Sequence, residues 1–398
     1  MKVLFLSFIE IKSLEQGSIF TDLISEFAVN NDEITVACPT QSFETSKIEL
    51  EHGVKLIRIK NGQIQKTGRI KKVINMMLLD RRVIKAVKKL EKGVKFDLII
   101  NMASSLSFYK PTKYFKKRDN ARVYLLMKDI FPQNAIDIGV MKKSGPWRII
   151  YNYFRRKEKK TYKLFDTVGC MSQKNMNYLI EHNPEFSKDK FEICPNAIRP
   201  IIKDFSEEKI KEFRDKYGIP LDKKVFVYGG NLGKPQGIPF ILEALKVAKD
   251  IDKAFFVIVG DGTEFNAIKM AKEEDNIDNL LLINRLPREE YNDLAYCCDV
   301  GLVFLDFRFT IPNFPSRILS YMQAGIPILT CTDASTDVGK VVSENGFGVS
   351  VLSNDPENFK NGVNKLLSLD LKTMGARGRK HLLDNYTVSK AYKIITKN

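Results

Sequence analysis

Strand-sized apolar runs alternate with amphipathic stretches along the whole chain: VLFLSF, EITVAC, VKLIRI, FDLIIN, RVYLLM, DTVGCM and FEICPN, then VFVYGG, FFVIVG, LLLINR, VGLVFL, IPILTC and FGVSVL. Runs this short, with helical patterns between them, predict parallel sheets covered by helices on both faces. Thirteen of them are too many for one ordinary doubly wound sheet. The pattern breaks at Asn196–Lys224, where two prolines and a charged helix stand between apolar runs. Two α/β, Rossmann-like domains are therefore expected, residues 1–198 and 199–380. The closing stretch, 381–398, reads as a helix able to pack on either half or to cross back to the first.

The length of 398 residues suits two or three domains, and 44% hydrophobic with 28% charged residues is the composition of a folded chain. No apolar run reaches the ~18–20 residues that span a bilayer. The opening MKVLFLSFIEIK reads as a buried first strand rather than a signal peptide, which makes the cytoplasm the expected location. Six cysteines (Cys38, Cys170, Cys194, Cys297, Cys298, Cys331) stand among apolar neighbours with no CxxC spacing, the pattern of reduced core thiols. Three histidines, His52, His182 and His381, leave little for serine-triad or zinc-hydrolase chemistry.

Charge changes the picture more. The net charge is +16, and residues 1–200 hold 37 Lys+Arg against 21 Asp+Glu while the remainder is balanced, 27 against 27. The excess concentrates at Lys66–Lys92, Lys110–Arg118 and Trp147–Lys160. Met76, Met77, Leu78 and Leu79 in the first of these, and Trp147, Tyr151, Tyr153 and Phe154 in the last, interleave apolar groups with the cations. That is the pattern of a helix lying on an anionic membrane, and equally of a basic helix whose apolar side faces the core. No nucleic-acid reading motif accompanies the charge, so nucleic acid is not an expected partner.

Each half offers a glycine-bearing turn after a strand: Gly17 in IKSLEQGSIF, and four glycines in YGGNLGKPQG. Backbone amides freed in such turns can hold an anion. Neither reads GxGxxG or GxxxxGK[ST], which argues against nicotinamide enzymes and P-loop NTPases. The second half continues with IVGDG (Ile258–Gly262), INRLPREEYNDLAYCCDVGLVFL (Ile283–Leu305) and NFPSRILSYMQAGIPILT (Asn313–Thr330), and the first half carries MKDIFPQNAIDIGV, TVGCMSQKNMNYL and ICPNAI. This ordered set resembles the GT-B glycosyltransferases, specifically retaining family 4, and within it members similar to the aminosugar transferases of bacterial surface polysaccharides.

The resemblance implies two Rossmann-like domains facing a central cleft. It also implies transfer of a sugar from a UDP-sugar to a lipid-linked or saccharide acceptor at the inner membrane face, with no cofactor and no metal. A sugar–phosphate bond breaks only if the charge building on the leaving phosphate is offset. Lys234 and Arg317 are the cations the motifs place there, with Gly230 and the amides of Phe314, Pro315 and Ser316 at hand; proline itself contributes no N–H. By resemblance Ser316 and Arg317 hold the phosphates, Gly260, Asp261 and Gly262 border the nucleotide, and Arg285 and Leu286 cover the base. Gly17 and Asn231 complete the donor set. The family's E-x7-E pair falls at Pro312 and Ser320, so both glutamates are absent and Ser320 is left to meet the ribose. In the first half Lys128 and Asp129 follow a strand, where the resemblance sets the acceptor; Asp129 is the candidate to orient its hydroxyl, with Glu10 an alternative carboxylate. Asp250-Ile251-Asp252 has the letters of a metal-binding D-x-D but precedes its strand, so no metal ligands are expected. Two other readings stay open: a non-catalytic nucleotide-sugar-binding module, consistent with the lost glutamates, and a GT-B UDP-sugar epimerase.

Overall fold

A computed structural model describes residues 1–41, 45–61, 69–102 and 107–397, without the side chains of 69–74, 76 and 77. Met76 and Met77 thus lie outside the described side chains, as does the start of the basic stretch Lys66–Lys92.

The first sheet contains β1 (Lys2–Leu6), β2 (Glu33–Thr40), β3 (Lys47–Glu51), β4 (Val54–Lys60), β5 (Leu98–Asn101), β6 (Arg122–Leu126), β7 (Thr167–Cys170) and β8 (Phe191–Ile193), in the order 3-4-2-1-5-6-7-8. Its pairs are parallel except β3, which runs antiparallel to β4. β3 is the strand the apolar pattern does not reveal. Its sequence, KIELE, alternates charged residues with an Ile48 and Leu50 that are both exposed, as befits a sheet edge guarded by charge.

The second sheet is wholly parallel: β9 (Lys224–Gly229), β10 (Ala254–Val259), β11 (Leu280–Ile283), β12 (Val300–Phe304), β13 (Ile328–Thr332) and β14 (Gly348–Leu352), in the order 11-10-9-12-13-14. Both are doubly wound. Their strands read as continuous apolar runs because both faces are covered, by Phe5, Phe27, Val36 and Ile100 in one core and by Phe226, Phe256, Phe304 and Phe359 in the other.

The chain forms two compact units, Met1–Ile136 with Met141–Arg199 and the segment from Val388 onward, and Asp137–Val140 with Pro200–Thr387. Two expected boundaries are corrected by this division. Arg199 groups with the first unit because its N–H donates to Asp22 (3.1 Å) and its guanidinium pairs with Glu26 (3.2 Å). The stretch from His381 to Asn385 completes a helix, Leu371–Asn385, that stays with the second unit, where Arg379 donates to the Gln323 and Ala324 carbonyls. Only the helix Val388–Thr396 packs on the first: Val388, Ala391 and Ile395 enter its core, Tyr392 meets Phe27 edge to face at 4.7 Å, and Ser389 donates to Glu26.

Strand order reverses between β1 and β5 in one sheet and between β9 and β12 in the other. Ligands of open α/β sheets bind beyond the carboxyl ends of the strands at such points.

Candidate functional site

In the second unit the loops after β9 and β12 meet at the switch point. The Asp306 N–H donates to the Pro235 carbonyl (3.0 Å), and Gly237 lies against the Asp306 backbone, where a Cβ would be 3.1 Å from its Cα. Asn231 and Gln236 brace the first of these loops: the Gln236 amide oxygen accepts from the Asn231 side chain (3.1 Å) and the Gly233 N–H (3.2 Å), closing the turn that carries Lys234. Lys234 itself is exposed and makes no ion pair among the described residues.

Arg317 is the centre of this arrangement. Its guanidinium lies over the Tyr228 ring at 4.3 Å and against Gly230, where a Cβ would stand 3.1–3.2 Å from guanidinium atoms. Gly230 has φ of +143°, so the turn needs glycine for its backbone as well as for the contact. Buried Nη1 of Arg317 has no hydrogen-bond partner. A buried donor on a charged group costs free energy unless an acceptor meets it, so this atom is suited to an anionic acceptor.

Three tyrosines seat that cation. Tyr228 donates to the Asn231 carbonyl (2.8 Å), Tyr291 lies against Gly229, and the Tyr321 hydroxyl accepts from the Gly229 N–H (3.3 Å) and from Tyr291 (3.3 Å) while donating to Leu302 (3.1 Å). Burial pushes the hydroxyls of Tyr291 and Tyr321 up, the latter to about 12, so they remain neutral donors. Sequence reasoning quoted these tyrosines without a role. The available signal was Tyr321 at i+4 from Arg317, one turn along the same helix.

Around it, Phe314 is buried and stacks on Tyr386 (5.8 Å), Pro315 and Ser320 are half-buried, and Ser316 is exposed. The segment is pinned by the Asn313 N–H on Thr336 (3.1 Å), and Pro312, at the first lost glutamate, is buried. Gly260 and Gly262 are required by packing: a Cβ would fall 2.0 Å from the Gly230 carbonyl oxygen and 2.1 Å from that of Leu232. They key the β10 loop, including Asp261, into the β9 loop. Arg285 is exposed and reaches Asp261 only at 3.8 Å, with Leu286 half-buried beside it. Asp250 and Asp252 precede β10, at the amino end of that strand and so opposite the carboxyl-end loops of the switch point. Among the described residues no three His, Cys, Asp or Glu side chains cluster as metal ligands would.

The remaining candidates belong to the first unit. Gly17, with φ of +54°, ends a short turn whose Ser13 and Leu14 bond Glu51 (2.6 and 2.8 Å), and it precedes the Ser18 cap of the helix Ile19–Val29. Glu10 accepts from Thr40 in the loop after β1. Asp129 lies two strands away, after β6, and both its oxygens accept from the Asn134 amide (2.6 and 2.7 Å). Burial raises its carboxyl to about 6, and burial lowers the neighbouring Lys128 ammonium to about 8. Buried Oδ1 of Asn134 has no partner. Asn134 was not singled out from the sequence, although MKDIFPQN contains it.

The sequence pattern of the family "Glycosyl transferases group 1" matches residues 209–381. The probable glycosyltransferase WbjE of Pseudomonas aeruginosa is 30% identical over 268 residues, 66% of this chain, and the chain spans 64% of that relative's length. Among solved structures, a sucrose-phosphate synthase from Thermosynechococcus elongatus superposes with a TM-score of 0.74 at 15% identity, covering 100% of this chain and 98% of that one. Anabaena HepE, solved with UDP and glucose, does so with 0.71 at 14% identity and the same coverage. Sequence and architecture therefore converge: residues 209–381 match the glycosyl transferases group 1 pattern, and the chain has the GT-B fold.

Proposed function

We propose that the protein is a retaining, metal-independent glycosyltransferase of family 4, moving a sugar from a UDP-sugar to a lipid-linked or saccharide acceptor in bacterial surface-polysaccharide synthesis. The observation that carries the reading is the unpartnered Arg317 Nη1 at the switch point of the second sheet. The UDP and glucose bound by HepE, and the probable glycosyltransferase activity of WbjE, support it.

In this reading the diphosphate of the donor accepts from Arg317, with Lys234 free to swing in from its exposed turn. As the glycosidic bond to phosphate breaks, charge grows on the phosphate oxygens, and a guanidinium already fixed over Tyr228 offsets it without reorganising. Asp129, fixed by Asn134, orients the acceptor hydroxyl, whose proton passes to the leaving phosphate as the new bond forms on the same face. With its pKa near 6 the carboxyl is mostly ionised at neutrality, so it accepts a hydrogen bond from the acceptor hydroxyl and holds it in place.

The lost glutamates at Pro312 and Ser320 favour one second reading, a module that binds the nucleotide sugar without transfer. A thermal-shift panel of nucleotide sugars, followed by assay of donor hydrolysis and of product anomeric configuration, separates them. Stabilisation by a UDP-sugar with slow hydrolysis and a retained anomer supports the transferase. Stabilisation with no turnover assigns the module, and an inverted anomer refutes retention.

A further inference from the structure

The helix Trp147–Leu164 turns one face to the core with Glu158, Thr161 and Tyr162 buried, and Phe154 half-buried against Phe131 at 5.1 Å. Its opposite face carries Ile149, Tyr153, Arg156 and Lys160, spaced i, i+4, i+7 and i+11, all exposed. The apolar members stand well out: Ile149 is 77% exposed and Tyr153 61%, and Trp147 and Ile150 at the helix start are 44% and 42% exposed. Every residue from Lys142 to Ile150 is exposed. The outward face is therefore apolar in its first turns and basic in its later ones. Among the described residues Arg148, Arg156 and Lys160 make no ion pair, whereas Arg155 and Lys159 are held by Glu158 and Glu185. Of the aromatics interleaved with these cations, Tyr151 and Phe154 are half-buried, and Ile149 and Ile150 join Trp147 and Tyr153 on the exposed side.

We propose that the first two turns of this helix are an interfacial anchor, with Trp147, Ile149, Ile150 and Tyr153 inserted in the outer acyl region of an anionic membrane and Arg148, Arg156 and Lys160 at its headgroups. An apolar cluster of this kind costs free energy in water, and its unpaired cations select a negative surface. A second copy of the chain fits less well, since a symmetric pairing through this face opposes the same cations across the contact. No helix among the described residues is long and apolar enough to cross a membrane, and insertion of one helix face needs none. Attachment in this form is driven by apolar burial as well as charge, so it weakens with salt without vanishing. The proposal deepens the lipid-linked-acceptor reading and rests on it only for its purpose.

Trp147 is the only tryptophan in the chain, so its fluorescence reports on the anchor alone. The full chain is mixed with phosphatidylglycerol/phosphatidylethanolamine vesicles and with phosphatidylcholine vesicles, at low and high salt. Expected are a blue shift and quenching by brominated acyl chains on the anionic vesicles. Co-sedimentation should fall roughly tenfold or more in I149S/Y153S, and fall on anionic vesicles alone in R156Q/K160Q. UDP-induced thermal stabilisation, unchanged in both variants, shows that they remain folded. Emission unchanged by every vesicle overturns the proposal, as does equal partitioning to both lipids. A blue shift that grows with protein concentration without vesicles, at dimer mass in sedimentation, gives the face to a second copy and also overturns it. Insertion without transfer to any lipid-linked acceptor would sink the acceptor reading and leave the anchor standing.

Discussion

Replacing Arg317 by alanine is expected to separate binding from folding. In the free protein the guanidinium gains its contact with the Tyr228 ring, a cation–π interaction of about 0.5–2 kcal/mol. It also carries the cost of an unpartnered buried donor, about 1–3 kcal/mol. These oppose each other and leave between about 1 kcal/mol lost and about 2.5 gained, so Arg317→Ala should lower the ligand-free melting temperature by no more than roughly 4 °C and can raise it by up to roughly 10 °C in a unit of this size. Binding has no such cancellation. Loss of a charge-assisted contact to phosphate costs about 1.5–3 kcal/mol, or roughly 10- to 150-fold in affinity. At UDP equal to 100 times the wild-type Kd, wild type gains about 2.7 kcal/mol of stability, and a variant binding 10- to 100-fold more weakly gains only about 1.4 to 0.4. Differential scanning calorimetry with and without UDP reads both quantities. An unchanged UDP shift in the variant would refute the phosphate role, and collapse of the ligand-free protein would make Arg317 a structural residue.

Asp129→Asn is expected to abolish most turnover while leaving UDP affinity unchanged, measured by steady-state kinetics beside a UDP titration. The same variant should be more stable at pH 7. Burial raises the Asp129 carboxyl to about 6, so its contribution to stability is fully present below the unfolded value near 4 and is lost as pH rises through about 6. Removing the charge recovers about 1–3 kcal/mol, and the new amide can donate to the unpartnered Asn134 Oδ1; a destabilised variant contradicts this. In the wild type, kcat should fall in acid through about 6 as Asp129 protonates and in base through about 8 as Lys128 deprotonates, and a flat profile from pH 5 to 9 removes both from the reaction. Gly260→Ala, whose Cβ meets the Gly230 carbonyl oxygen at 2.0 Å, should destabilise the second unit by about 1–3 kcal/mol and weaken UDP with it, read by urea unfolding and titration.

Most of the fold is legible in the sequence. Buried parallel strands are continuous apolar runs, so every strand but β3 shows in the sequence, and β3 is hidden because an edge strand with charged alternation looks like a loop. Arg317 stands out in the sequence as a cation at a helix start, after a glycine turn and a buried strand, and the structure places it against that turn. Tyr228, Tyr291 and Tyr321 do not stand out, since their role depends on packing between strands far apart in sequence. That Gly260 and Gly262 also lie against a neighbouring loop is hidden in the sequence, because their contacts with Gly230 and Leu232 join segments from different strands. The Trp147 helix is a similar case. Its composition announces amphipathicity, but which aromatics face outward follows from the buried side set by Glu158 and Tyr162.

The central claim is that the second unit holds a nucleoside diphosphate on Arg317 without help from a metal. Isothermal titration of UDP into the full chain in excess EDTA, repeated with Arg317→Ala, tests it directly. The account predicts saturable binding by wild type that survives chelation and weakens at least tenfold in the variant. Binding that disappears with EDTA, or that Arg317→Ala leaves untouched, would contradict it.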